Sequence, residues 1–195
     1  MSRLGGPRRP GPFARVASWI SRRDYGLVPE PLDVTAHHPG ILRGYGAFEW
    51  ETGRARTVDA KLKDLAGIKT AALVGCEWCL DIGSAIGAKS GVTAEQLADL
   101  PRYRESPHFT DAEKLVLDYA VAMTETPSQV PDDLFDALRE RFDERQLVEL
   151  TSSIAIENYR ARFNGAFGIE PQGFVKGGAC ALPERPRAGS AAGGA

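Results

Sequence analysis

The amino-acid sequence predicts an all-α domain. Apolar residues recur at three- and four-residue spacing along most of the chain from Pro31 onward, which is typical of helices with one buried face. Three polar residues precede Gln or Glu by three positions, the offset of a capping box at a helix N-terminus. These pairs are Thr93 with Gln96, Thr110 with Glu113, and Asp143 with Gln146. No segment alternates apolar and polar residues well enough to predict a β-strand.

The first helical pattern lies close to the N-terminus. Phe13, Val16, Trp19 and Ile20 form a short apolar stripe at helical spacing, flanked by arginines. A helix in the membrane interface is one interpretation. We favour docking of this stripe onto its own domain or onto a neighbouring subunit.

The next three helices are bounded by residues suited to helix ends. Pro39 can open a helix that reaches Trp50, and Asp59 can cap a helix that stops at Gly75. The third begins directly after that glycine and ends before Gly91, a residue that readily adopts the left-handed conformation beyond a helix C-terminus.

The C-terminal half predicts four more helices. Each of the three capping boxes precedes an apolar periodic run, and a fourth run follows Pro131. The longest run follows Asp143. Polar residues crowd this last helix, and we favour for them a hydrogen-bond network or an interface. They are Glu157, Asn158, Arg160, Arg162 and Asn164.

Length and composition indicate a single globular domain with tails. The chain has 195 residues, of which 43% are hydrophobic, enough for a sizeable core. We place the domain at residues 13–176. Residues 1–12 and 177–195 are rich in Gly, Pro, Ala and Arg, so we predict that both segments are disordered.

Charge and hydropathy exclude several functions. The net charge of −2 gives no electrostatic footprint for nucleic acid. No apolar run approaches the ~20 residues of a membrane span. The N-terminus also lacks the apolar core of a secretory signal, so we predict a cytoplasmic protein.

Cys76 and Cys79 form a C-x-x-C pair at the predicted start of a helix, in a chain with only three cysteines. The two-residue gap allows a short disulfide, and a helix N-terminus stabilises a thiolate. Glu77 acts in the opposite direction, because a neighbouring carboxylate raises a thiol pKa. We favour a redox pair over inert buried cysteines and over zinc, which would need further ligands.

The remaining cysteine and the histidines offer few further metal ligands or redox partners for this pair. The chain has three histidines, none at zinc-finger spacing. Cys180 lies in the predicted tail, where an exposed thiol without a role is favoured over a third redox partner.

Five segments stand in a characteristic order along the chain. They are Asp64-Leu65, Leu73 to Cys79, Gly91-Val92-Thr93, Gln146 to Leu150, and Asn158 to Asn164. Together they resemble the carboxymuconolactone decarboxylase superfamily, specifically its alkylhydroperoxidase D-like branch. The resemblance extends from residue 31 to residue 170, and it implies a helical bundle domain that forms homo-oligomers.

The resemblance also implies catalytic roles. The family pattern has a Glu twelve positions before the first cysteine and a His four positions after the second. Carried over, Cys79 is the attacking thiolate, Cys76 the resolving thiol and Asp64 a distal base. Gly83 occupies the histidine position, so the implied proton relay has a gap. Asp64 acting through water, or a histidine from an earlier helix (His37 or His38), are the alternatives that would fill it.

The leading functional hypothesis is a thiol-dependent peroxidase or disulfide reductase with an antioxidant role. It takes a hydroperoxide as substrate and a dithiol as reductant, and needs no metal or organic cofactor. A second hypothesis is decarboxylation or isomerisation of a muconolactone-like acid, against which the cysteine pair counts, because that branch does not use one. A third is a non-enzymatic redox sensor whose disulfide changes its assembly.

Overall fold

The computed structural model describes residues 2–184, and within that range it contains helices and no β-strand. The predicted all-α class is therefore confirmed. The α-helices, in chain order, are α1 (Pro12–Tyr25), α2 (Glu30–Thr35), α3 (Pro39–Arg54), α4 (Ala60–Val74), α5 (Glu77–Ser90), α6 (Ala94–Asp99), α7 (Asp111–Thr124), α8 (Asp132–Arg141) and α9 (Glu144–Phe167). A 3₁₀ turn, Leu100–Arg102, follows α6.

Helix α4 is the centre of the bundle, and it packs against α5, α7 and α9. Its sequence explains this position, since small and branched apolar residues lie on several of its faces rather than on one stripe. Its buried apolar residues are Leu65, Ala66, Ile68, Ala71 and Ala72. One apolar cluster joins α4 to α5, and a second joins it to α7, α8 and α9.

The helix ends follow the sequence signals. All three predicted capping boxes are present, each with both of its reciprocal hydrogen bonds. Gly75 and Gly91 end α4 and α5 with φ angles of 77° and 94°, a conformation in which a side chain is strained. The tight turn at Gly75 makes α4 and α5 a helical hairpin and places the C-x-x-C pair at its bend.

The apolar stripe of α1 remains largely uncovered. Only Ala14 of this helix is buried, whereas Val16 is 56% exposed and Trp19 is 64% exposed. On α3, Trp50 is 62% exposed. The stripe therefore docks onto its own domain only in part, through Phe13 against α3, and contact with a neighbouring subunit stays a prediction.

The two ends of the described chain contact the bundle. The Arg3 amide donates to the Phe167 carbonyl at 2.7 Å. Residues 177–184, which composition assigned to a disordered tail, lie against the α4–α5 hairpin, and Ala181 is only 3% exposed. Backbone groups make several of these contacts, and amino-acid composition carries no signal for them. The rest of the predicted tail, 185–195, lies outside the described residues, as does Met1.

Between residues 2 and 184, no helix combines the length and the apolar character that crossing a membrane requires.

Candidate functional site

The cysteine pair lies at the N-terminal end of α5. Cys76 is the N-cap residue, and its sulfur accepts a hydrogen bond from the Cys79 amide at 3.2 Å. The two residues are joined in a disulfide with a Cα–Cα distance of 5.3 Å. Cys76 is 0% exposed and Cys79 is 3% exposed. The predicted pairing is thus present, in an almost completely buried position.

Asn164 of α9 contacts both sulfurs. Its side-chain amide nitrogen Nδ2 is 3.4 Å from Cys79 Sγ and 3.8 Å from Cys76 Sγ. The residue is 1% exposed. Sequence analysis placed Asn164 only in a general polar network, because the 85-residue separation from Cys79 carries no signal of this contact.

Asp81 anchors the chain that follows α9. Its carboxylate accepts hydrogen bonds from four consecutive backbone amides, at 3.0 Å from Gln172, 2.7 Å from Gly173, 3.1 Å from Phe174 and 3.0 Å from Val175. Because Asp81 comes two residues after Cys79, these bonds hold the C-terminal segment, residues 169–184, beside the redox pair. Asp81 is therefore a structural anchor for this segment.

Trp78, between the two cysteines, packs against the same C-terminal segment. Its indole N–H donates to Gln172 Oε1 at 2.8 Å, and its ring meets Phe174 edge to face at a centroid distance of 5.7 Å. Trp78 and both cysteines belong to one apolar cluster, against which Phe174 packs, so these contacts hold the C-terminal segment to the cluster that contains the disulfide.

Two further contacts hold the end of the C-terminal segment. The Ala181 amide donates to Ser84 Oγ of α5 at 3.1 Å. The Lys69 ammonium of α4 donates to both carboxylate oxygens of Glu184, at 2.7 and 2.8 Å. Burial lowers the pKa of Lys69, and the Glu184 carboxylate opposes that shift. Ala181 packs into the apolar cluster that contains both cysteines, so this segment is part of the wall of the site.

Asp64 lies at the other end of α5 from the cysteines. Burial raises the pKa of this carboxyl group, and a hydrogen bond with the Ser90 side chain opposes the rise. Ser90 is the last residue of α5, eleven positions after Cys79, which corresponds to about 16 Å along a helix. The structure therefore does not bring Asp64 to the pair. Spacing along the chain identified Asp64 as the residue aligned with the glutamate of the family pattern. It could not show how far Asp64 lies from the cysteines along the α4–α5 hairpin.

No histidine within residues 2–184 contacts the sulfurs. His38 is the N-cap of α3, where its Nδ1 accepts from the Ile41 amide at 3.1 Å. His37 contacts the Gly5 carbonyl oxygen at 2.7 Å, and His108 lies 3.8 Å from Asp99. At Gly83, an added Cβ would lie 3.3 Å from Ile68 Cγ1. This glycine therefore permits close packing of α4 on α5, and any side chain here would require Ile68 to shift by a few tenths of an ångström.

The remaining polar residues of α9 form a second network away from the sulfurs. Arg160 binds Glu157 at 2.9 Å and also pairs with Glu49 of α3, which in turn accepts from Tyr45. Burial raises the pKa of Glu157, whose buried Oε1 has no hydrogen-bond partner among residues 2–184. These contacts support the hydrogen-bond network that we favoured for this helix.

Within the described part of the chain, no group of three or more His, Cys, Asp or Glu side chains is arranged to hold a metal ion. Cys180 is exposed and not disulfide-bonded. The structure therefore brings together Cys76, Cys79 and Asn164, with the C-terminal segment beside them.

Comparisons with known proteins agree with this architecture. Residues 39–122 match the model of the carboxymuconolactone decarboxylase family. An uncharacterized protein of Escherichia coli strain K12, YnjA, is 34% identical over 172 residues, which cover 88% of this chain and 92% of YnjA.

Solved structures share the fold at lower sequence identity. The crystal structure of an alkylhydroperoxidase AhpD core protein of Ralstonia eutropha JMP134 has a TM-score of 0.75 at 20% identity, covering 87% of this chain and 92% of that protein. The debrominase Bmp8 has a TM-score of 0.74 at 19% identity, covering 84% and 88%. The chain belongs to the carboxymuconolactone decarboxylase family.

Proposed function

We propose that this protein is a thiol-dependent peroxidase or disulfide reductase whose redox centre is the Cys76–Cys79 pair, with an antioxidant role. The observation that supports this most directly is the disulfide itself, closed between two adjacent sulfurs at a helix N-terminus. Such a position favours the thiolate, the form in which a cysteine attacks a peroxide or a disulfide.

Cys79 is the attacking residue in this proposal. The family resemblance gives it this role, and its sulfur is the closer of the two to the Asn164 amide. Its thiolate attacks the terminal oxygen of a hydroperoxide, the O–O bond breaks, and the alkoxide leaves and takes a proton to become an alcohol. Cys79 is then a sulfenic acid.

Cys76 completes the oxidative half of the cycle. Its thiol sulfur attacks Cys79 Sγ, the S–O bond breaks and water leaves, which gives the disulfide of the structure. An external dithiol then reduces it by two thiol–disulfide exchanges and becomes a disulfide itself. One hydroperoxide and one external dithiol are consumed for each alcohol and water formed. The cycle uses no metal or organic cofactor, and we expect it in the cytoplasm.

Asp64 is left out of this cycle because its carboxyl group lies beside Ser90. The proton that the Cys79 thiol loses is taken up by solvent, in the absence of a contacting histidine among the described residues.

Consumption of an organic hydroperoxide by the purified protein, with excess dithiol, tests the proposal. We expect turnover by the wild type and its loss in Cys79→Ser. Cys180→Ser is the matched control, since it removes the exposed thiol outside the pair and should retain full activity. Oxidation of one equivalent without turnover would favour the sensor. Consumption of a muconolactone-like acid, with the peroxide untouched, would favour the decarboxylase.

A further inference from the structure

We propose that Asn164 is a catalytic residue of the redox pair, donating a side-chain amide hydrogen bond that favours the thiolate form of Cys79. This inference rests on the proposed function, because it names the group that prepares the attacking sulfur. It also places on α9 a group that acts on the attacking sulfur, since Gly83, at the histidine position of the family pattern, has no side chain.

The first support is geometric. The Asn164 Nδ2 atom is within hydrogen-bond distance of both sulfurs, and it is closer to Cys79, at 3.4 Å, than to Cys76, at 3.8 Å. A carboxamide nitrogen carries two N–H donors and no acceptor. The sulfurs can therefore act only as acceptors toward it, and a negatively charged acceptor forms the stronger hydrogen bond.

The second support is burial. Asn164 is 1% exposed, so its amide group competes with little water for the sulfur. Buried polar side chains ordinarily satisfy their hydrogen bonds. The partners found for the Asn164 side-chain nitrogen are the two cysteines, which accounts for a polar residue at this place in an apolar cluster.

The third support is that other donors to Cys79 are lacking. Within residues 2–184, the hydrogen bonds to the two sulfurs come from Asn164 and from the Cys79 amide. The Cys79 backbone amide donates to the Cys76 sulfur, as part of the helix cap. Asn164 is therefore the side chain that donates to Cys79 in the described structure.

Charged groups on the surrounding elements are engaged with other partners. Asp81 binds backbone amides of the C-terminal segment, Lys69 binds the carboxylate at the end of that segment, and Glu157 binds Arg160. Glu77 follows Cys76 directly, and a carboxylate there disfavours a nearby thiolate. No unpaired cation is therefore described beside the Cys79 thiolate to stabilise it. A neutral hydrogen-bond donor such as Asn164 has a larger effect here than it would have next to a cation.

Asn164 differs chemically from the histidine of the family pattern. An imidazole donates a hydrogen bond and also exchanges a proton near neutral pH, whereas a carboxamide only donates. We therefore expect formation of the Cys79 thiolate to follow a single titration, without a second transition from a paired histidine.

The test measures thiolate formation directly, by ultraviolet absorbance of the reduced protein against pH. A background of Cys76→Ser and Cys180→Ser leaves Cys79 as the one titrating thiol. In that background Asn164→Ala should raise the midpoint by about one pH unit, since a hydrogen bond to a charged group has that order of strength. At neutral pH this is about a tenfold loss of thiolate. Asn164→Asp, which adds a carboxylate of nearly the same shape, should raise the midpoint further.

Asn158→Asp is the matched control. Asn158 lies on the same helix and donates to Thr124 Oγ1 at 3.1 Å and to the Ile154 carbonyl, away from the sulfurs. It should leave the Cys79 midpoint unchanged. If Asn164→Asp does not fold, Asn164→Ala carries the test alone.

An unmoved midpoint in the folded Asn164 variants overturns the inference, as does an equal shift in Asn158→Asp. A moved midpoint in a protein that fails to consume peroxide would reject the proposed function and keep the role of Asn164. Peroxide turnover with an unmoved midpoint would keep the proposed function and reject the role of Asn164.

Discussion

Replacing Asp81 by Asn should detach the C-terminal segment from the redox pair. Asp81 is 6% exposed and accepts four backbone hydrogen bonds, three at Oδ2 and one, from Val175, at Oδ1. Asparagine has nearly the same shape but carries no charge and has only one acceptor oxygen. The change therefore weakens the anchor with little alteration of packing.

The expected magnitude follows from these four bonds. A hydrogen bond to a charged group contributes about 1.5–3 kcal/mol, and one between neutral groups about 0.5–1.5 kcal/mol. Asp81→Asn removes the Val175 bond and makes the other three neutral. The released amides bind water, which limits the loss, so we expect local opening to become easier by about 3 kcal/mol. That is roughly a 100-fold rise in the opening equilibrium.

Hydrogen exchange of the backbone amides of residues 172–175, followed by mass spectrometry, measures this opening. The rate at which a bulky thiol reduces the Cys76–Cys79 disulfide should rise in parallel, because the segment packs against the cluster that contains the pair. Asp118→Asn is the control, since Asp118 accepts from the Tyr103 hydroxyl and from Arg104, outside the segment. Exchange at 172–175 that stays within threefold of the wild type would refute the anchoring role.

Three further predictions concern packing, pH and assembly. Gly87→Ala should destabilise the protein by about 1–3 kcal/mol in urea unfolding, because the new Cβ would lie 3.0 Å from Ile68 Cδ1. Gly44→Ala in α3, with no such neighbour within 4 Å, should instead stabilise it by up to ~1 kcal/mol. Burial alone would raise the pKa of Glu149, but hydrogen bonds from Lys63 and Thr57 hold it at about 2, below its ordinary 4.5. The unfolded state therefore binds more protons in this range, so stability should fall as the pH drops from 4.5 towards 2, less steeply in Glu149→Gln than in Glu140→Gln. Light scattering at micromolar concentration should give the mass of a homo-oligomer, because Trp19 and Trp50 are more than 60% exposed, and a stable monomer would show that these side chains face solvent.

Local signals in the sequence were sufficient to predict the helices other than the six-residue α2, which was not predicted. Each capping box joins residues three positions apart, so Thr110 and Glu113 carry the start of α7 within one turn of chain. The same holds for the disulfide, because a gap of two residues allows few geometries.

The rest of the site depends on distant parts of the chain. Spacing alone could not show that Asp64 reaches Ser90 instead of Cys79, because the register between two helices is set by packing such as that of Gly83 against Ile68. The contact of Asn164 with the sulfurs arises from the placement of α9 on the hairpin. Docking of residues 177–184 was missed because backbone donors are common to every sequence.

The sulfur of Cys76 has a structural role as well as a chemical one. It is the acceptor that caps α5, and it is also one half of the disulfide. Reduction would remove the covalent link but leave the Cys76 thiol sulfur in place as the acceptor of the Cys79 amide hydrogen bond. The disulfide holds the bend of the hairpin in the oxidised state, and the cap hydrogen bond holds it in the reduced state. The helix start that presents the attacking sulfur can therefore persist through the whole redox cycle.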